Sequence, residues 1–163
     1  MNQTTENQID FSALPAAGLG RRIASIVYDL LLLAAISLGY ALVIFVIRMV
    51  TEGAPEQGQM MASPNPSVQF VIMVGWWFTL ASYFNWCWKK RGQTLAMKTW
   101  RLRLQQSDGS LATAKQRWNR CLIAPVSIVS VVGLLWCLFD KEGLSLHDRI
   151  NGTRVVLLPK KIN

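Results

Sequence analysis

Asp29 is the residue in this chain whose setting most demands a chemical explanation. It lies six residues past Ile23 and is followed by 18 residues, 30–47, that carry no charge. A carboxylate at mid-membrane costs about 2.5–3.5 kcal/mol by insertion scales, so it normally faces protein or water and has a partner. Arg22 precedes it by seven residues, two turns up the same helical face, and could reach toward it. Two roles fit such a carboxylate. It binds a cation or relays a proton, or it forms an ion pair that fixes how the first helix packs. Arg21, beside Arg22, is a secondary candidate.

A second group stands near the other end, in Leu146-His147-Asp148-Arg149-Ile150-Asn151-Gly152. A histidine beside an aspartate suggests acid–base work. Neighbours along a chain do not pair by default, however, and no nucleophile stands at a recognisable spacing. A polar surface turn ending at Asn-Gly is the plainer reading. The three cysteines, Cys87, Cys121 and Cys137, lie in or beside apolar stretches at no metal-ligand spacing, and there is only one histidine. Buried thiols are expected there, not a zinc site. With no phosphate-binding glycine loop and no nucleophile elbow, the expectation is a non-enzyme with no catalytic residues, no metal and no cofactor.

The elements that must position these groups are apolar and long. Of 163 residues, 52% are hydrophobic and 16% charged, against roughly 25% charged in an average soluble domain. The charges fall in blocks and leave runs long enough for the bilayer core, which takes about 20 apolar residues per helix. Spans are expected at about 23–47 and 68–88, separated by a proline- and glycine-bearing loop. Arg21-Arg22 invites a signal-peptide reading, but the run is too long, carries Asp29 and has no cleavage site after it. A third apolar segment, 121–139, is interrupted by Pro125 and Gly133. It either crosses or re-enters, and re-entry is favoured. Residues 100–105 alternate with period two, and residues 153–158 form a later apolar strand candidate that needs a partner, so the two are expected to pair. Thr113 and Gln116 resemble a capping box. The fold class is therefore an all-α membrane protein with two firm transmembrane helices, a third crossing or re-entrant helix and a small cytoplasmic β-pairing element. Residues 1–20 read as a mobile tail, 21–156 as one membrane domain and 157–163 as a C-terminal tail.

Charge orients these spans. Two Lys/Arg precede the first, one lies in the loop 48–67, nine lie in 89–120 and five follow residue 139. Positive residues collect on the cytoplasmic side, so the N-terminus is expected inside a bacterial inner membrane. A re-entrant third segment gives sixteen basic residues inside against one outside. The net charge of +8 is then explained by topology and by anionic lipid headgroups at the basic loop, and nucleic acid is not expected as a partner.

Three stretches carry a wider resemblance: RRIASIVYD at the start of the first span, RGQTLAMKTWRLRL after the second, and HDRINGTRVV in the tail. Together, and in this order, they closely resemble the RDD family of small bacterial membrane proteins, over nearly all of residues 20–156. The family is named for one arginine and two aspartates, which carry over to Arg22, Asp29 and Asp148. Ala96 stands where members commonly have glycine. The resemblance implies a multi-pass inner-membrane protein for which transport, including cation/proton exchange, has been suggested. The expected site is a charge cluster of Arg22, Asp29 and Asp148 at the cytoplasmic surface, with Arg149 secondary. It would bind an ion or proton, or lock the tail against the first helix. Transport through so small a chain would require a homo-oligomer. The alternative is a structural or regulatory module that binds a protein partner.

Overall fold

The computed structural model describes residues 10–55, 61–129 and 132–160. Two helices dominate it. Helix α1 (Leu19–Glu52) has 34 residues, about 51 Å at the usual rise. Helix α2 (Pro66–Arg91) opens on Asn65, whose side chain accepts from the Val68 N–H, with proline in the first turn. Both contain their expected spans and extend beyond them. Leu38, Leu42 and Val50 on α1 and Phe70 and Val71 on α2 are all exposed. Contiguous bare aliphatic surface of this kind belongs in lipid rather than water. Polar contacts register the two helices: Tyr40 Oη donates to the Ile72 carbonyl at 2.8 Å, and Trp76 Nε1 donates to Ser37 Oγ at 2.9 Å.

The third apolar segment departs from the expectation of one helix over 121–139. Helix α4 (Ala114–Val129) begins earlier, at the expected capping box. Gln116 N–H donates to Thr113 Oγ1, and the Gln116 side chain accepts from the Thr113 N–H. The chain continues as a short helix α5 (Val132–Leu135) and a 3-10 turn, Trp136–Leu138. Gly133 lies so close to Ser127 that a Cβ there would stand 2.7 Å from the Ser127 carbonyl oxygen. The chain therefore folds back on α4. Among the described residues, two helices and not three are long and apolar enough to cross a membrane.

At one end of the helices sits a small packed unit. Strand β1 (Leu102–Gln106) pairs antiparallel with β2 (Thr153–Leu157), with Leu104 opposite Val155. The expected pairing is present, and β1 begins two residues later than its period suggested. Residues 15–17, which the sequence placed in a tail, lie on the free edge of β2: Ala17 N–H donates to the Val155 carbonyl, and Leu157 N–H to that of Pro15. Residues 1–9 of that tail lie outside the described residues. Leu102, Leu104, Met97, Trp88, Ala17 and Val155 form the core here. Two short helices complete it, α3 (Leu95–Thr99) and α6 (Leu146–Asn151). The residues on either side of the α4–α5 fold-back thus meet in one sheet.

Candidate functional site

Asp148 is completely buried on α6, and three elements converge on it. Arg22 from α1 reaches Oδ2 through Nη1 at 2.9 Å, and Arg120 from α4 pairs with Oδ1. Ser145, the residue that starts α6, donates its hydroxyl to Oδ2. The arginines are 5% and 8% exposed, so both ion pairs are shielded from solvent. Arg22 is saturated. Its Nε donates to the Ala17 carbonyl at 2.9 Å, Nη1 also to Ser145 Oγ at 3.0 Å, and Nη2 to the Gly143 carbonyl at 2.9 Å. Arg120 also donates from Nη1 to Thr153 Oγ1 at 3.2 Å and lies over the Trp88 ring.

Burial alone would raise the Asp148 pKa, but the charge of Arg120, joined by that of Arg22, outweighs it and holds the carboxyl down at about 2. His147 is buried beside it and bonded to two serines: Nδ1 to Ser127 Oγ at 3.0 Å and Nε2 to Ser145 Oγ at 3.1 Å. Burial, then the nearby positive charge of Arg120, pushes its pKa down to about 4. The ring is neutral at neutral pH, and it bonds the serines rather than the adjacent aspartate.

Asp29 is separate. The expected three-residue cluster holds two of its members, Arg22 and Asp148, and gains Arg120. Side chains on a helix lean toward its N-terminus, so Arg22 extends away from Asp29 toward the sheet. Asp29 instead accepts from Thr94 Oγ1 at 3.0 Å. The same Thr94 hydroxyl accepts from the Met97 N–H and so caps α3. The other Asp29 oxygen, Oδ1, has no hydrogen-bond partner among the described residues. Arg149 is exposed and pairs with Asp140, and Arg21 makes no ion pair among the described residues.

Arg120 was not singled out in the sequence, although its position carried a signal. It immediately precedes the uncharged run that begins at Cys121, as Arg21-Arg22 precede theirs. Ser145 and Asp148 had the S-x-x-D spacing of a helix start.

Two bare apolar helices joined at one end by a small unit with a buried ionic centre define a membrane protein. A family-model comparison matches residues 16–152 to the RDD family, and the chain belongs to that family. No curated protein and no solved structure matches it.

Proposed function

We propose that this RDD protein is a multi-pass protein of a bacterial inner membrane, N-terminus cytoplasmic, that binds a cation or proton at Asp29 in the service of transport. In this reading the family's three named residues divide their labour. Arg22 and Asp148, with Arg120, lock the tail onto α1: both arginines and Ser145 bond the Asp148 carboxylate, and Arg22 also holds Ala17 and Gly143. Asp29 is the working carboxylate. The observation that carries this is its unequal bonding: Thr94 holds one oxygen at 3.0 Å, while the other is buried with no hydrogen-bond partner among the described residues. A carboxylate in that position has capacity for a cation or a proton.

The pairing of β1 with β2 supports a re-entrant third segment, since the chain leaves and returns to the same sheet. Placing that sheet in the cytoplasm follows from the charge bias. Exposed Lys89, Lys90 and Lys98 at its rim suit anionic headgroups.

The test is exchange in sealed vesicles containing the purified protein, with internal pH followed by a dye after a sodium pulse. Wild type and Asp148→Asn, if the latter folds, exchange sodium for protons; Asp29→Asn does not. Unaltered exchange in a folded Asp29→Asn protein overturns the assignment, as does wild type with no exchange of any monovalent cation. One observation favours a second reading. Two long helices with nearly all their apolar surface exposed do not enclose a path alone, so the chain works as a homo-oligomer or as a module on a protein partner. Recovery of a stoichiometric partner, with no transport, decides for the module.

A further inference from the structure

Beside the ionic centre runs a crevice of about 600 Å³, walled by α1, α2 and α4, within the size range of ligand sites. Its chemistry changes along its length. At the sheet end stand Arg22, Arg120, Ser145 and His147; toward the other end stand Leu30, Leu33, Leu80, Trp76 and Trp77. Along α1 the distance from Arg22 to Leu33 is about 16 Å. The crevice therefore has a polar head and a greasy trough, with Asp29 on the α1 wall between them.

The head is electropositive. Two arginines share one aspartate, which leaves one positive charge uncompensated, and His147 is neutral at pH 7. Arg120 is 8% exposed and bonds Asp148 and Thr153 through Nη1 alone; its Nε and Nη2 have no hydrogen-bond partner among the described residues. A buried guanidinium with a free edge has the geometry to grip a phosphate through two parallel N–H donors. The trough beside it suits methylene groups, each worth about 0.8 kcal/mol when buried.

We propose that the crevice holds one anionic phospholipid of the surrounding bilayer, its phosphate on the free edge of Arg120 and an acyl chain along the trough. The lipid supplies the wall that two helices and a folded-back segment leave open, and it keeps bulk water from the middle of the crevice. This assignment is independent of ion exchange at Asp29, because retention of a lipid and movement of an ion are read separately.

The test is native mass spectrometry of the full chain released from nanodiscs of equal phosphatidylglycerol and phosphatidylcholine. Wild type keeps one phosphatidylglycerol per chain, preferred roughly tenfold over phosphatidylcholine, whose phosphate is the same but whose choline cation meets the uncompensated positive charge of the head. Ala124→Trp, which fills the trough from α4 without touching a charge, loses the lipid at an unchanged melting temperature. Arg120→Lys keeps a cation against Asp148 but lacks the planar fork, so the number of lipids retained per chain falls. Equal retention of both lipids by wild type overturns the proposal. So does a folded Ala124→Trp protein that still holds phosphatidylglycerol, or a lipid-free dimer in which a second copy covers the crevice.

Discussion

Asp148 and His147 are adjacent in the chain, yet their protonation works on stability in different pH windows. His147 is held near 4 against an ordinary 6.5, first by burial and then by Arg120. As pH falls below about 6.5 the unfolded chain takes up this proton first. The histidine's contribution is therefore whole above that value and is lost progressively toward pH 4. Asp148, held near 2 against an ordinary 3.8, adds a second loss as pH falls from about 4 through 2. Thermal unfolding in detergent is thus expected to show a melting temperature that declines from pH 7 to pH 4. His147→Gln should flatten that decline and leave the one below pH 4 in place. At this scale the sequence was half legible. A carboxylate next to a long uncharged run identifies itself by its cost, so Asp29 stood out. The partners of Asp148 come from residues 22 and 120, and no local pattern connects positions that far apart.

Helix α2 ends against β1, and Gly92 makes the junction. Its φ is +68°, and a Cβ would lie 2.4 Å from the Leu104 carbonyl oxygen. Leu104 N–H in turn donates to the Gly92 carbonyl at 2.7 Å. Both the left-handed backbone and the close approach exclude a side chain. Gly92→Ala is expected to cost about 1–3 kcal/mol from backbone strain alone. It should lower the melting temperature and open the buried Cys87 and Cys121 to a thiol reagent. A variant that melts like wild type, with both thiols still protected, would show that the junction tolerates movement. The long helices were legible because lipid imposes a simple rule of length without charge. The strand pairing was legible because residues 100–105 alternate and the apolar run at 153–158 needed a partner. Helices α3 and α6 were not. At five and six residues they are shorter than two turns, so no hydrophobic period can build up. Their caps, Thr94 and Ser145, were the only local marks.

For the whole molecule, the sheet fixes an even number of crossings between β1 and β2, with zero as the re-entrant case. Cysteines placed at the exposed Lys98 and Lys160 should therefore react from the same face of a sealed inverted vesicle, in a background without native cysteines. Labelling from opposite faces would mean that the strands do not pair in the membrane. The two ends of the third segment could not be assigned to one side from hydropathy, since 19 uncharged residues at 121–139 are long enough to cross straight. The pairing of β1 with β2 and the approach of Gly133 to Ser127 bear on that choice, and both rest on tertiary contact.

The bond between Arg22 and Asp148 spans 126 residues, and this has a consequence for biogenesis. When the ribosome has finished α1, the arginine at its base has no acid to meet, and the edge that will hold residues 15–17 has not been made. Insertion must proceed with that end of the first helix unfinished until Asp148 has been made.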